Sequence, residues 1–379
     1  MVEFEAATEN MELKEAIVRR IQSQGPVAFR DFMEMALYHS QHGYYSSPRE
    51  KMGREGDYLT SPEVSQLFGT MVGRQLHEMW EAMERPAAFE IVEMGAGTGT
   101  LCRDLVRWAG RVRPEFATAL SYTIVEVSEA LVERQRRTVG DGANVSWSPA
   151  LPEAIEGCLL SNELVDSFPV HRVAVQSGQM REIFVGWDGG RFVEELRPPS
   201  TGGIEAYFQR LGLLPGEGCR AEVNLQAPRW IREVGGALRR GFVLTFDYGH
   251  EAAELYAPWR RDGTLLCFYR HSPSGDPYVR LGRQDMTSQV DFTSLRRAGE
   301  EAGLRSLGLL PQSQFLTSLG IGEAMAPPGE GDLNLEEYYA RRRAVLELVD
   351  PAGLGRIRVL VQAKGIDNCR LTGLEGAEA

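Results

Sequence analysis

Short apolar runs alternate with helix-period stripes through most of the chain. The run from Phe89 to Met94 predicts a buried strand, and the apolar residues after it recur at helical spacing. Further strands are predicted near 121–127, 144–147, 158–161, 241–249, 304–310 and 356–363. Helices are predicted near 100–112, 128–138, 203–212, 226–239, 293–303 and 334–348. This alternation is typical of an α/β protein with a mostly parallel sheet.

Two stretches depart from the alternation. Before residue 85 the pattern predicts helices alone, two short ones within residues 11–40 and one near 62–83. Between about 170 and 195, β-prone residues alternate around Ser177-Gly178 and Asp188-Gly189-Gly190. Turn residues spaced in this way predict an antiparallel meander inserted in the parallel sheet.

A glycine-rich turn joins the first strand to its helix, with glycines at Gly95, Gly97 and Gly99. Glycine lets a ligand approach the backbone closely because it has no Cβ. The dinucleotide fingerprint G-x-G-x-x-G would need its third glycine at Thr100. The order here, with Glu93 inside the strand, is instead the form seen in S-adenosylmethionine (SAM) methyltransferases, where a carboxylate near the sulfonium is favourable. An ordinary glycine turn is the alternative.

The second predicted strand carries an acid near its end, Glu126. A carboxylate at this position can accept both ribose hydroxyls of an adenosine ligand. Alternatively, Glu126 belongs to the start of the next helix, for which Ser128 is a suitable N-cap. The sequence leaves both interpretations open.

Polar residues also follow the fourth and fifth strands. Asn162 and Glu163 end the fourth, Asp166 comes three residues later, and Asp247 ends the fifth. The carboxyl ends of neighbouring parallel strands face the ligand cleft of such folds. We therefore expect Asn162 to contact SAM or substrate and the three acids to be catalytic. Asp166 as a surface residue and Asp247 as part of a strand-ending turn are the alternatives.

Composition narrows the classes of function. The chain has 379 residues and a net charge of −12, and a negative charge of this size disfavours nucleic-acid binding. Its five cysteines form no C-x-x-C pair, so we expect neither a disulfide framework nor a metal site. No apolar run has the length of a membrane span, and we expect no membrane insertion. The acidic start of the chain argues against a targeting segment and favours a cytoplasmic location.

Several motifs together resemble the MidA-like family of SAM-dependent methyltransferases. The resemblance spans roughly residues 25 to 365. Its motifs are Gly56-Asp57-Tyr58-Leu59-Thr60-Ser61-Pro62-Glu63-Val64, Val92-Glu93-Met94-Gly95-Ala96-Gly97-Thr98-Gly99, Asn162-Glu163-Leu164-Val165-Asp166-Ser167-Phe168-Pro169-Val170-His171-Arg172, Asp247-Tyr248-Gly249, Gly263-Thr264-Leu265, Tyr269-Arg270-His271, Gln284-Asp285-Met286-Thr287 and Val290-Asp291-Phe292. Mitochondrial members of that family assist assembly of respiratory complex I and methylate an arginine of one of its subunits.

The resemblance implies a fold and a site. The fold is a Rossmann-like class I methyltransferase sheet, with a helical or lid segment over 1–85, the SAM-binding domain over 86–172 and 240–365, an insertion over 173–239 and a tail over 366–379. The residues expected to bind SAM or its product S-adenosylhomocysteine are Thr60, Ser61, Pro62, Glu93, Gly95, Gly97, Gly99, Glu126 and Asn162. Ser61 and Pro62 also suit the N-cap and first turn of a helix, which is the plainer interpretation of that stretch.

The implied activity is methyl transfer to an arginine of a protein substrate, such as a respiratory complex subunit. A guanidinium nucleophile needs carboxylates to hold it and to accept its proton. Tyr269-Arg270-His271 could form a lid over the site, or Arg270 could instead pair structurally with one of the site acids. A non-catalytic SAM-binding assembly factor and a nicotinamide dehydrogenase are the other functions considered, and a homodimer is compatible with the sequence. The chain departs from the family at Gln289, where His is usual, and at Val165 and Ser167, where Leu and Ala are usual.

Overall fold

The computed structural model describes residues 9–47, 51, 53, 56–141, 144–327, 335–367 and 369–376. The chain divides into two compact units. The sheet unit comprises Leu59–Leu164, Ile231–Tyr248 and Arg296–Ala379, and the meander unit comprises Met1–Tyr58, Val165–Trp230 and Gly249–Leu295. Parts of the expected lid segment (1–8, 48–50, 52, 54 and 55) and of the expected tail (368 and 377–379) lie outside the described residues.

Seven strands form the central sheet of the sheet unit. They are β1 (Phe89–Met94), β2 (Leu120–Val125), β3 (Val145–Ser148), β4 (Ile155–Asn162), β5 (Leu238–Asp247), β6 (Arg305–Pro311) and β7 (Arg358–Lys364). Their order is β3-β2-β1-β4-β5-β7-β6. The first five are parallel, and β7 runs antiparallel to both β5 and β6. The predicted class, a Rossmann-like methyltransferase sheet, is therefore confirmed.

Helices flank this sheet. They are Ser61–Val64, Gln66–Ala82, Thr100–Val112, Pro114–Ala119, Glu129–Val139, Gln312–Ser318 and Leu335–Val349, with short 3₁₀ turns at Ile321–Met325, Leu354–Arg356 and Thr372–Leu374. Fully buried aromatic side chains pack between the layers. The ring of Phe246 on β5 meets the ring of Phe68 at 5.3 Å and that of Phe315 at 5.5 Å, both edge to face. These contacts join the helices Gln66–Ala82 and Gln312–Ser318 to β5.

The helix expected near 62–83 is two helices. Ser65 is extended, with φ −167°, and its hydroxyl accepts the N–H of Leu67, so it caps the second helix. The first helix begins at Ser61, and its N-cap is Thr60. The prediction of Ser61 as N-cap was thus wrong by one residue. The Ser61 hydroxyl is buried and donates instead to Gln312 Oε1 at 3.0 Å.

The meander unit is built on antiparallel strands. The main sheet contains Val27–Ala28, His171–Gln176, Gln179–Trp187, Phe192–Arg197 and Arg220–Val223. The smaller sheets contain Leu266–Tyr269, Ser272–Ser274 and Asp285–Thr287, and the pair Gly249–His250 with Val290–Asp291. The unit also holds the helices Met11–Gln24, Phe29–Tyr38, Gly202–Leu211 and Ala252–Leu255. The expected meander is confirmed.

Two further helices, Gln226–Ala237 and Phe292–Glu301, each contain a point at which the chain passes from the meander unit to the sheet unit. In the part of the chain that the structure describes, no helix combines the length and apolar character needed to cross a bilayer.

A buried arginine organises the main sheet of the meander unit. Arg172 is 6% exposed, and its guanidinium donates to Glu194 at 2.9 Å and to Glu222 at 3.4 Å. Its Cζ atom also lies 4.9 Å from the ring centroid of Phe29. Glu222 in turn accepts the N–H of Thr264 at 2.6 Å, so the arginine network reaches the Gly263-Thr264-Leu265 motif.

We predict that Arg172→Met lowers the free energy of unfolding by about 3–5 kcal/mol, because it leaves the buried Glu222 carboxylate without its cation. Urea unfolding followed by tryptophan fluorescence measures the change. The matched control is Arg191→Met, whose ion pair with Asp188 is exposed and should change stability by less than about 1 kcal/mol. Equal small changes in both variants would show that the buried network is not needed for stability.

Candidate active site at the carboxyl ends of the central strands

The glycine turn after β1 needs glycine at each of its three positions. Gly95, Gly97 and Gly99 have φ values of 75°, 52° and 81°, in the left-handed region that side chains disfavour. A Cβ on Gly95 would lie 3.0 Å from Leu164 Cδ1, and one on Gly99 would lie 3.3 Å from Gln135. Gly99 also serves as the N-cap residue of the helix Thr100–Val112. The turn is therefore fixed by both backbone conformation and close packing.

Glu93 lies inside the sheet. Its side chain is 2% exposed, and the hydroxyl of Tyr122 on β2 donates to its Oε2 at 2.7 Å. Burial raises the pKa of Glu93 to about 7, against the opposing effect of the Tyr122 hydrogen bond. The Glu93 carboxyl thus ties β1 to β2 behind the glycine turn. Its contact with the sulfonium of SAM stays a prediction.

Glu126 follows β2 directly, and both of its oxygens accept hydrogen bonds. Oε1 accepts the N–H of Ser128 at 2.9 Å, and Oε2 accepts from Gln135 Nε2 at 3.2 Å. Ser128 is the N-cap of the helix Glu129–Val139. Glu126 therefore does contact the start of the next helix, as the alternative interpretation expected. The same hydrogen bonds orient its carboxylate, which we expect to bind the ribose.

Gln135 is a residue of the site that the sequence did not reveal. It is fully buried, and its Nε2 donates both to Glu126 and, at 3.0 Å, to the carbonyl oxygen of Gly97. Its Oε1 accepts from the indole of Trp147 on β3 at 3.0 Å. One side chain thus fixes the glycine turn relative to the carboxylate after β2. The sequence signal was no more than a polar residue on the helix that follows the second predicted strand.

Glu63 joins the Thr60-Ser61-Pro62 stretch to the glycine turn. Its Oε1 accepts hydrogen bonds from the hydroxyls of Thr98 and Thr100, the latter at 3.0 Å, and those hydroxyls lie 2.9 Å apart. Thr60 and Ser61 are buried beside it in the sequence. The carboxylate of Glu63 therefore holds two side chains of the turn at once. An acid in the first turn of a helix ordinarily interacts with the helix dipole alone, so the local sequence does not indicate this second role.

Asn162 and Glu163 stand where β4 ends. Asn162 is 8% exposed, and its Nδ2 donates to Glu163 Oε1 at 3.1 Å. Its Oδ1 is buried without a hydrogen-bond partner among the described residues. Glu163 has φ 51°, an uncommon conformation for a residue with a side chain. Strained backbone of this kind is concentrated at functional sites.

Asp247, fully buried at the end of β5, holds two turns through backbone N–H groups. Its Oδ2 accepts the N–H of Leu164 at 3.2 Å, and its Oδ1 accepts that of Tyr248 at 2.9 Å. Leu164 is also the residue that packs against Gly95. The carboxylate therefore positions the loop after β4, which is the strand-turn role that the sequence had offered as its alternative.

The remaining acid expected in the site, Asp166, belongs to the meander unit. It is 6% exposed, and its backbone carbonyl accepts the N–H of Ser288 at 2.9 Å. The N–H of neighbouring Gln289 donates to the Thr264 hydroxyl at 3.1 Å. Gln289 Oε1 is buried without a partner among the described residues. Gln289, which stands where the family usually has histidine, is thus hydrogen-bonded through its backbone to Thr264.

The residues present fit SAM. The buried, unpaired Oδ1 of Asn162 is an acceptor that an amino group would satisfy, since buried polar atoms normally have partners. Gly95 and Gly99 keep the turn free of side chains. Within the described ranges, no group of three or more His, Cys, Asp and Glu side chains could hold a metal ion.

We predict that Glu63→Ala weakens SAM binding about tenfold, because the Thr98 and Thr100 hydroxyls lose the acceptor that fixes the glycine turn. Glu63→Gln keeps one acceptor oxygen and should have a smaller effect. Titration calorimetry with SAM measures both, with Glu115→Ala, an exposed acid of the same unit, as the control. Unchanged affinity in the alanine variant would show that the turn keeps its shape without Glu63.

The raised pKa of Glu93 predicts a pH dependence of stability. The folded protein holds the proton more tightly than the unfolded chain, so the contribution of Glu93 is full below pH about 4.5 and is lost as the pH rises to about 7. This loss amounts to about 3 kcal/mol. Glu93→Gln should remove it, so the difference in urea stability between parent and variant should vary across that pH window. A constant difference would show that Glu93 titrates at its ordinary pKa.

Comparisons with known proteins show the family of the chain. The family model described as "Putative S-adenosyl-L-methionine-dependent methyltransferase" matches residues 71–310. Mitochondrial protein arginine methyltransferase NDUFAF7 of Mus musculus is 32% identical over 80% of this chain and 73% of its own length. The homologous protein of Drosophila melanogaster is 29% identical over 92% and 84%.

A solved structure is similar along nearly the whole chain. It is a "likely methyl transferase" from Burkholderia thailandensis bound to S-adenosyl-homocysteine, with a TM-score of 0.89, 33% identity and coverage of 97% of this chain and 96% of that one. Its ligand is the product expected of SAM-dependent transfer. The glycine turn, the strand-end carboxylates and the family match together show that the chain belongs to the MidA-like family of SAM-dependent methyltransferases.

Proposed function

We propose that this methyltransferase transfers the methyl group of SAM to an arginine side chain of a protein substrate. The observation that carries the proposal is Glu163, a carboxylate that follows β4 on a left-handed backbone. It is supported by relatives named protein arginine methyltransferases at 27–32% identity. The net charge of −12 also favours approach of a basic segment.

The chemistry explains why a carboxylate is needed. SAM supplies a methyl group on a cationic sulfur, which is already a good leaving group. The protein must align the acceptor nitrogen and exclude water. The acceptor guanidinium is protonated, with a pKa above 12, so a carboxylate has to hold it and take a proton as the new bond forms.

The residues divide these tasks within the proposal. Asn162 donates to Glu163 Oε1 and so orients the carboxylate that holds the guanidinium. Asp247 keeps its place in the site as a positioning residue, because its oxygens accept the backbone N–H groups of Leu164 and Tyr248. Asp166 stays a proposed catalytic residue on the ground of its place three residues after Glu163.

The residues proposed to hold SAM are those expected from the sequence. Glu63 and Gln135 are added to them because their hydrogen bonds fix the glycine turn and the Glu126 carboxylate. Glu126 is proposed to bind the ribose, and Asn162 Oδ1 to accept from the amino group. Thr60, Ser61 and Pro62 are proposed to border the cofactor beside the Glu63 contact. A protein partner such as a respiratory complex subunit, a homodimer and a cytoplasmic location stay predictions.

We predict that Glu163→Gln reduces methyl transfer at least about a hundredfold while SAM affinity stays within a few-fold. The lost charge acts on the substrate and transition state, whereas the cofactor contacts remain. Cell extract incubated with the protein and isotopically labelled SAM, followed by mass spectrometry, measures transfer, and calorimetry measures SAM affinity.

Glu153→Gln, which neutralises an exposed acid of the same unit, is the control. Undiminished transfer by Glu163→Gln would remove Glu163 from the mechanism. A label found on lysine or on a small molecule would overturn the arginine assignment whatever Glu163 does.

A further inference from the structure

Two arginine side chains of the meander unit share one tyrosine ring. The Cζ atoms of Arg270 and Arg280 lie 5.3 Å and 5.1 Å from the ring centroid of Tyr269. Within the described ranges, neither guanidinium has a carboxylate at ion-pair distance, in contrast to the pairing with a site acid that the sequence allowed for Arg270. The two guanidinium groups repel each other because both are positively charged. No carboxylate of the described residues lies close enough to offset this repulsion by an ion pair.

The backbone that presents these side chains is itself strained. Arg270 and His271 form the turn between Leu266–Tyr269 and Ser272–Ser274, with φ values of 49° and 59°. Turns of this type favour Asn-Gly, because both residues need positive φ. Arg280 also has a positive φ, 51°. Arg270, His271 and Arg280 are therefore three of the seven non-glycine residues with positive φ in the described chain.

The rest of the unit stabilises the strained turn. Asp57 accepts the N–H of Arg270 on Oδ1 at 2.8 Å and that of His271 on its backbone carbonyl at 2.9 Å. The hydroxyl of Tyr44 donates to Asp57 Oδ2 at 2.9 Å and fixes the carboxylate. Asp57 thus holds the turn through its backbone, and it leaves the exposed Arg270 side chain without an ion pair. Strain maintained in this way is typical of a binding element.

We propose that Arg270 and Arg280 bind carboxylate side chains of the protein substrate, so that acidic residues near the target arginine direct it to this enzyme. A guanidinium matches a carboxylate through paired N–H donors, and stacking on Tyr269 holds its plane while its donor edge stays available. The net charge of −12 disfavours a long polyanion such as nucleic acid, whereas a pair of acidic side chains needs only local attraction. The inference rests on the proposed function.

The experiment uses the full chain and fluorescent peptides that carry one arginine. One set has an Asp-Glu pair at varied distance from the arginine, and the matched set has Asn-Gln at the same positions. Fluorescence anisotropy measures peptide affinity, and labelled SAM with mass spectrometry measures methylation. The test variant is the double change Arg270→Gln and Arg280→Gln. The control is Arg191→Gln with Arg229→Gln, which removes two exposed charges of the same unit.

The parent and the control should bind the best acidic peptide about tenfold more tightly than its amide counterpart, and the test variant should lose that preference with unchanged SAM affinity. The proposal is overturned if the parent shows no preference, if the test variant keeps it, or if the control loses it equally. Selective binding without methylation would support the docking site and count against the arginine acceptor, so the two proposals fail separately.

Discussion

The Asp247 carboxylate, which accepts the backbone N–H of Leu164, sets the arrangement on which the site depends. Strands β1, β4 and β5 are in register, so the turns that follow them must share one edge of the sheet. Asp247 joins the turn after β5 to the turn after β4, because its carboxylate accepts the N–H of Leu164. The Leu164 side chain in turn packs against Gly95 in the turn after β1. The left-handed Glu163 lies inside this closed arrangement. Its backbone N–H donates to the carbonyl oxygen of Phe246 on β5, and its carboxylate accepts from Asn162 on β4.

The sheet was predictable because its information is local. Each central strand is a short apolar run buried on both faces, and its glycine and polar neighbours mark where it ends. The break at Ser65 was not predictable, because the apolar stripe continues on both sides of it and only the extended backbone separates the two helices. The helix Pro114–Ala119 is too short for periodicity to distinguish it from a loop, although Pro114 is a suitable first helical residue.

The site was predictable only where a residue acts through its own position on a strand end. Glycine positions, Asn162 and Glu163 are of this kind. Gln135 and Glu63 were missed because their function arises from contacts with residues 38 and 35 positions away in the chain. A glutamine on a helix and an acid in a helix's first turn are ordinary by any local pattern. Only the fold brings them to the backbone and hydroxyls of the glycine turn.

The carboxylates of the chain differ in the groups that donate hydrogen bonds to them. Asp57 and Asp247 each accept backbone N–H groups and hold turns in place, so the dipoles of those groups already compensate part of their charge. The hydrogen bond from Asn162 to Glu163 is different, because it comes from a neutral side-chain amide. Within the proposal, the acceptor guanidinium would approach the carboxylate that Asn162 orients. The net charge of −12 acts at long range, whereas the proposed hold on a guanidinium depends on the position of this one acid after β4.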